Sequence, residues 1–417
     1  MTTFNDFGLI PAIQESLAKK GYTHPTPVQA KAIPEILRGK DVFALAQTGT
    51  GKTASFALPI LQHLATAPFK KGIRVLILAP TRELAIQIHT DLEVYGSTLN
   101  IKAALIYGGV SQHRQEQSLH QHPSIVVATP GRLLDLFAQG HIHFKSVEII
   151  VLDECDRMLD MGFARDLNKI MNLVPKQRQT LLLSATMPAE IRKLADQYLN
   201  DPVTIEIKSE TKSPVLIEQV MYYIDRENRG ELLVDLMHKE KIDQVLIFTR
   251  TKRGADRLAK ILDGKKISAM AIHGDKSQNQ RERSLELFKA GKLRALVATD
   301  LASRGIDVKE LSHVINFDMP GDVETYIHRI GRTGRAGNSG MAISFRGIDD
   351  ADIEKDLLKV HGNSLEVIRE HEYFSGNVFK PLPPKQERPP RNKSNPKAPA
   401  KPKQKSNSKP ERRFSQK

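Results

Sequence analysis

The sequence predicts an α/β protein: two tandem parallel-sheet domains followed by a disordered basic C-terminal tail. Three observations predict it. Short apolar, β-branched runs alternate with amphipathic, helix-like stretches; the alternation stops at a polar segment near residue 207 and then starts again; and beyond about His371 the composition turns to Lys, Pro, Ser, Asn and Gln. Alternation of this kind is the pattern of parallel sheets wrapped by helices. At 417 residues the chain also exceeds what one ordinary core organises, so two units are the simplest division.

In the first half the strand-like runs read DVFALA from Asp41, RVLILA from Arg74, KAALIY from Lys102, SIVVAT from Ser124, EIIVLDE from Glu148 and QTLLLSAT from Gln179. They are apolar at nearly every position, which predicts burial on both faces of a sheet. This series defines a first domain over 1–206. The polar stretch Ile207 to Pro214, IKSETKSP, has no apolar period and is assigned to a linker over 207–216. A second series fills 217–370: QVMYYI from Gln219, QVLIFT from Gln244, ISAMAI from Ile267, RALVAT from Arg294, HVINF from His313 and MAISF from Met341. The remainder, 371–417, includes RPPRNKSNPKAPAKPKQK and has too few branched or aromatic residues to offset the entropy of ordering.

Apolar residues at 40% and charged residues at 26% describe a globular chain in water, and no apolar run approaches the roughly 20 residues of a membrane span. The start, MTTFNDFGL, lacks the basic and then apolar character of a secretion signal. A lone cysteine, Cys155, excludes an internal disulfide framework and a multi-thiolate zinc site, and a cytoplasmic location is the expectation. The net charge of +14 is concentrated: 13 Lys and Arg against two Glu between Gly376 and Lys417 leave only +3 for the rest. The tail is therefore either a nucleic-acid tether or a plain solubilising segment, and any basic groove in the folded part is local.

Two motifs carry chemistry on their own. AQTGTGKT, from Ala46 to Thr53, follows a strand-like run and opens a helical one, as a phosphate-binding loop requires. Its residues are Ala46, Gln47, Thr48, Gly49, Thr50, Gly51, Lys52 and Thr53. Backbone amides from Gly49 to Thr53 would cradle phosphates, Lys52 would pair with the β and γ oxygens, and the Thr53 hydroxyl would hold Mg²⁺. Ala46 stands where the general pattern has glycine, and a structural turn is the alternative. About a hundred residues on, IIVLDECD ends an apolar strand in Asp153 and Glu154. Two acids there are costly unless they meet a cation, so Asp153 fits the Mg²⁺ shell and Glu154 fits the base that activates water; a helix-capping acid pair is the alternative.

With these motifs the chain resembles a DEAD-box RNA helicase, with Asp153, Glu154, Cys155 and Asp156 in the place of the name-giving tetrapeptide. The resemblance covers about residues 4–345. Its pieces run in the family's order: Phe4 with GYTHPTPVQ, the phosphate loop, PTRELA, Gly108 with Gly109, TPGR, the acid strand, SAT, IFTRT, Gln278 with Arg281, TDLASRGID and HRIGRTGR. The details are similar to the bacterial RhlE-like subgroup. The resemblance implies two RecA-like domains, RNA-dependent hydrolysis of ATP with Mg²⁺, and local unwinding of short RNA duplexes or remodelling of RNA–protein complexes. Ribosomal or RNA-decay proteins are partners it allows, and no membrane is involved.

It also implies roles, residue by residue. Gln29 would read adenine, since an amide donates and accepts at once. Phe4 would stack on the base, with a core anchor as its alternative. Arg332 and Arg335 would be arginine fingers reaching the γ-phosphate from the second half, and with Arg329 they put three guanidiniums in eight residues, which repel unless an anion lies opposite. Asp307 would contact the ribose. Asp156, Ser184, Thr186 and His328 would couple domain closure to the site, with a helix N-cap as the alternative for Ser184 and Thr186. Thr81, Arg82, Gly109, Thr129 and Arg132, with Arg250, Thr251, Gly274 and Thr299, would hold RNA phosphates and 2′-hydroxyls, each being otherwise a cap or turn. Cys155, which replaces the family's alanine, is expected to pack as a small hydrophobe. Three rival functions stand beside it: an ATP-gated RNA clamp without unwinding, whose site would look identical; a DNA translocase on the same fold, which should tolerate loss of the 2′-hydroxyl; and an unrelated transporter ATPase, which would not explain Gln29 or the second-half arginines.

Overall fold

The computed structural model describes residues 2–47, 49–207, 217–240, 242–300, 311–334 and 339–374. Thr48, Asp307 and Arg335 lie outside these residues, as do most of the expected linker and tail. The first sheet has seven parallel strands: β1 (Val42–Leu45), β2 (Val75–Leu78), β3 (Ala103–Ile106), β4 (Ile125–Ala128), β5 (Ile149–Leu152), β6 (Gln179–Ser184) and β7 (Val203–Glu206). The second also has seven: β8 (Ile217–Tyr223), β9 (Val245–Phe248), β10 (Ala269–Ile272), β11 (Ala295–Ala298), β12 (His313–Asn316), β13 (Gly340–Arg346) and β14 (Leu365–Ile368). The first is ordered β3-β4-β2-β5-β6-β1-β7 and the second β10-β11-β9-β12-β13-β8-β14. Position for position the two orders are the same, so the halves are structural copies without a strict sequence repeat.

The all-apolar runs become the central strands. β1, β2, β4, β5, β9 and β11 are buried at every residue. Alternate residues feed opposite faces: Val75 and Ile77 enter one core, Leu76 and Leu78 the other, so the first sheet lies between two apolar layers. The edges differ. β7 and β14, absent from the sequence-based expectation, are four-residue edge strands with exposed positions. Two expected boundaries also move. Ile207 still donates to the Leu45 carbonyl at 2.9 Å, continuing the β7 pairing. His371 to Phe374, placed in the tail by composition, pack on the second domain: His371 Nε2 lies 2.9 Å from the Tyr223 carbonyl, and Asn228 donates to that of Tyr373 at 3.0 Å. Among the described residues no helix is long and apolar enough to cross a membrane.

The amino-terminal end of β5 is pinned by charge. Glu148 accepts from Arg74 Nη2 at 2.8 Å and Nε at 3.1 Å and from Lys70 at 2.7 Å, and it lies 3.0 Å from His63 Nε2. Burial opposes ionisation of Glu148, but the hydrogen bond from Arg74 and those from His63 and Lys70 outweigh it and hold the carboxyl at about 2.

Candidate nucleotide and nucleic-acid site

In a parallel sheet the carboxyl ends of the strands point to one side, and ligands bind there. The candidate residues divide along the sheet. The phosphate loop follows β1, the acids follow β5 and Ser184 ends β6, and these three strands are neighbours. Thr81 and Arg82 follow β2, Gly109 follows β3 and Thr129 follows β4, the other three contiguous strands. In the second domain Arg250 and Thr251 follow β9, Gly274 follows β10 and Thr299 follows β11, which occupy the same three positions in the order.

The loop turns through Gly49 and Gly51, both in the left-handed region at φ 86° and 85°, and the helix Lys52–Thr66 starts immediately after. Ala46 is buried, Gln47 and Gly49 are exposed, and the Thr50 hydroxyl closes the turn on the Gln47 carbonyl at 2.7 Å. Lys52 is buried and its Nζ donates to the Ala46 carbonyl at 2.9 Å. Thr53 stands in the first turn of the helix, where free amides and the helix dipole favour anions. Gln29 braces the loop: Nε2 donates to the Gly51 carbonyl at 3.0 Å, while Oε1 accepts from Thr26 N at 2.9 Å. A side chain at Gly51 would collide with that amide. Each amide atom of Gln29 makes one of the two hydrogen bonds open to it in these contacts.

Asp153 is 2% exposed, and its carboxyl is pushed up to about 6, first by burial and also by Glu154 and Asp156, against the pull of Lys52. A hard oxygen donor kept in that condition suits a divalent cation, so Thr53 and Asp153 fit Mg²⁺. Glu154 bends the chain between β5 and the helix Cys155–Asp160 with φ 50°, a left-handed conformation that costs a non-glycine residue about 1–3 kcal/mol. Arg157 Nη1, 2.8 Å from Glu154 Oε2, fixes that carboxylate, and the pair is almost wholly buried. Sequence reasoning missed Arg157, although its spacing of three residues from Glu154 on a helix start was available.

Asp156 joins β5 to β6. Its Oδ2 accepts from Ala185 N and Thr186 N at 2.9 Å each and from Thr186 Oγ1 at 3.1 Å. Burial opposes the ionised form, but Lys52 and the donors at Thr186, Arg157 and Ser184 hold its carboxyl below the usual range. Ser184 donates to the Thr186 carbonyl at 2.7 Å. Neither residue caps a helix, since Pro188 takes that place for Ala189–Tyr198. His328 of the second domain lies within electrostatic reach of Arg157 and Asp156, and burial, followed by Arg157, pushes its imidazole down. The same helix, Val323–Ile330, carries Arg329, whose anion is internal: Nε and Nη2 bind Asp300 at 2.6 and 2.8 Å, and Nη1 binds Asn316 at 3.0 Å. That answers the expected repulsion for Arg329 without a ligand. Arg332 is 5% exposed at the end of this element.

The remaining candidates differ in how far the fold already engages them. Phe4 is 5% exposed, stacked with Tyr22 at 6.4 Å and edge-on to Phe7 at 6.0 Å, which is the anchoring placement and leaves little ring face for a base. Thr81 and Thr251 cap helices, accepting from Leu84 N at 3.3 Å and Gly254 N at 3.0 Å. Thr129 precedes the helix Pro130–Ala138 without a side-chain cap bond. Arg132 is committed to Asp135 and, at 2.9 Å, to Gln112. Gly109, at φ 85°, lies against the Arg82 guanidinium, which any side chain there would overlap. Gly274 is exposed beside Lys252, and Thr299 is nearly buried at the end of β11.

The two domains touch. Arg281 Nη2, on the helix Gln278–Lys289, is 2.7 Å from Glu83 Oε1, on the helix Arg82–Tyr95, with both side chains less than a tenth exposed. Sequence reasoning had assigned this pair no role.

The comparisons agree with this geometry. Residues 26–194 match the model of the DEAD/DEAH box helicases, and residues 228–337 match the helicase conserved C-terminal domain. The chain is similar to the DEAD-box ATP-dependent RNA helicase CshA of Geobacillus kaustophilus, 42% identical over 83% of this chain and 73% of that one. It is similar to RhpA of Helicobacter pylori, also described as a DEAD-box ATP-dependent RNA helicase, 44% identical over 82% and 69%. Among solved structures it resembles S. cerevisiae Dbp5 bound to RNA and ADP–BeF3, at 29% identity and a TM-score of 0.78 over 88% and 96% of the two chains. A nucleotide-type loop and acids on one half of a RecA-like sheet, a second copy of that sheet docked on it, and matches to both family models lead to one conclusion: the chain belongs to the DEAD/DEAH box helicase family.

Proposed function

We propose that this protein is an ATP-dependent RNA helicase whose hydrolytic site is completed when its two domains close on a single RNA strand. The observation that carries this is the division of the strand ends. Both sheets offer polar and glycine residues on the same three strands, while among the described residues only the first carries a phosphate-type loop on the other three. Two copies of one surface side by side make a continuous track for a phosphate backbone, with one ATP beside it.

In this mechanism Gln29 reads adenine with its remaining hydrogen-bonding positions, and the loop from Ala46 to Thr53 with Lys52 holds the phosphates. Thr53 and Asp153 would hold Mg²⁺, which when bound would supply charge neutralisation for the phosphates. Glu154, aimed by Arg157, accepts the proton of the attacking water as its oxygen bonds to the γ-phosphorus and the bond from that phosphorus to the β–γ bridging oxygen breaks, leaving ADP and inorganic phosphate. Arg332 and Arg335 stabilise the charge on the transferring group, and Asp307 holds the ribose. Asp156 ties the acid strand to Ala185 and Thr186, and His328 approaches it from the second domain, so closure is felt at the hydrolytic centre. Thr81, Arg82, Gly109, Thr129 and Arg132 in the first domain, with Arg250, Thr251, Gly274 and Thr299 in the second, hold phosphates and 2′-hydroxyls. Closure bends the bound strand out of register with a complement, and hydrolysis with phosphate release reopens the clamp.

The finer assignment to the bacterial RhlE-like subgroup rests on motif details, since the relatives at 42–44% identity include bacterial and fungal chains. A cytoplasmic setting, with ribosomal or RNA-decay proteins as partners, accords with the single buried cysteine and the basic tail. The test is strand displacement: a short RNA duplex should separate with ATP and not without it, and an all-DNA duplex should not separate. Displacement of both alike would favour a DNA translocase, and ATP-dependent RNA retention without displacement would favour a clamp.

A further inference from the structure

The second domain has its own version of the nucleotide corner. In the shared strand order β8 stands in the place of β1, β12 in that of β5 and β13 in that of β6. The helix Lys52–Thr66 begins with Lys52 after β1, and the helix Arg229–Lys239 begins with Arg229 after β8. Where the first domain offers acids after β5, the second offers Asp318 after β12, and Asp350 follows β13. An arginine thus stands in the second domain at the helix start that Lys52 takes in the first.

Its contacts are specific. Arg229 is 5% exposed; Nη1 donates to Asp318 Oδ1 and the Phe317 carbonyl at 2.9 Å each, and Nη2 lies 3.5 Å from Asp350 Oδ2. The other oxygen of each carboxylate serves Arg250: its backbone N–H donates to Asp318 Oδ2 at 2.9 Å, and its Nη2 donates to Asp350 Oδ1 at 3.1 Å and to the Met319 carbonyl at 3.2 Å. Gly347 N donates to Asp350 Oδ2 at 2.9 Å, and a side chain at Gly347 would overlap the Arg229 guanidinium. Two arginines and two aspartates therefore form one balanced set, with Arg229 inside and Arg250 on the surface, its side chain 58% exposed.

We propose that Arg229 is a positioning residue for RNA binding: by balancing Asp318 and Asp350 from within, it lets Arg250 hold Asp350 through Nη2 alone and turn the rest of its exposed guanidinium to an RNA phosphate. This rests on the assignment of Arg250 to RNA made above. Without Arg229, two carboxylates face one guanidinium, Arg250 is drawn toward them, and phosphate must compete with both.

The test uses the full chain and a single-stranded RNA, measuring RNA-stimulated ATP hydrolysis and RNA binding across a salt series with a non-hydrolysable ATP analogue present. Arg229→Met is expected to raise the RNA concentration for half-maximal hydrolysis about tenfold and to flatten the salt slope by about 0.7, one phosphate contact. Its kcat at saturating RNA and its KM for ATP should stay within about twofold. Arg229→Lys, which keeps the charge and loses the fork, should fall between at about threefold, and it serves if the methionine variant does not fold. In an Arg250→Ala background neither substitution should cost anything further. The same loss in that background, or unchanged RNA affinity in Arg229→Met while Arg250→Ala weakens binding, overturns the proposal. If Arg250→Ala itself leaves RNA affinity and salt slope unchanged, the assignment of Arg250 to RNA fails, and this inference falls with it.

Discussion

Replacing Glu83 by Gln removes one partner of the ion pair that crosses the domain interface. In the structure Arg281 and Glu83 are both nearly buried with N and O 2.7 Å apart, and Arg82 adds a like charge beside Arg281. Breaking a buried pair from one side costs about 3–5 kcal/mol when the stranded charge has no escape. Here it has one, because opening the domains returns Arg281 to water. The loss therefore falls on closure and not on folding, and about 2 kcal/mol, or roughly 30-fold in the closing equilibrium, is the expected size. Glu83→Gln should raise the RNA concentration for half-maximal ATP hydrolysis by about that factor while the thermal unfolding midpoint moves by less than about 2 °C. Arg281→Met should behave alike, and the double variant should lose little more than either single one. Full additivity of the two losses, or a drop in unfolding midpoint with unchanged RNA dependence, would refute the assignment of this pair to closure.

Other outcomes follow from the same geometry. Glu148→Gln should destabilise the fold by about 2 kcal/mol, less than a fully buried pair because Glu148 is partly exposed. Since the folded carboxyl is held at about 2, below its usual range, the Glu148 contribution is complete above about pH 4.5 and fades as pH falls toward 2; acid unfolding curves of wild type and variant should converge there. Cys155 is fully buried, and burial pushes its thiol up, so Cys155→Ala should keep turnover within about tenfold and the native thiol should resist alkylation. Removing 376–417, which carries a net +11, should weaken RNA binding and flatten its salt dependence with little change in KM for ATP; unchanged RNA affinity at low salt would end the tethering idea.

The strands and the phosphate loop were legible because burial on both faces forces apolar runs, and because a loop that wraps phosphate needs glycine at set places. β7 and β14 escaped for the converse reason: edge strands keep water on one side, so VTIE and LEVI carry no such run. Asp153 and Glu154 stood out as acids closing an apolar strand, yet the left-handed φ of Glu154 and its brace from Arg157 depend on the bend that follows. The role of Arg329 was hidden because its partner Asp300 is distant in sequence and joins it through the fold. Local pattern also did not reveal that Gln29 holds Gly51, that Asp156 gathers the amides after β6, or that Glu83 meets Arg281; each is a contact between elements that topology, not spacing, brings together.

The central claim is that RNA closes two domains around one hydrolytic site in which Glu154 is the base. It is tested most directly by steady-state ATP hydrolysis measured without nucleic acid, with single-stranded RNA and with DNA of the same sequence, beside Glu154→Gln. Stimulation by RNA alone, with turnover reduced at least about 100-fold in Glu154→Gln, is the predicted result. Equal rates with and without RNA, or a variant that hydrolyses ATP like the wild type, would contradict it.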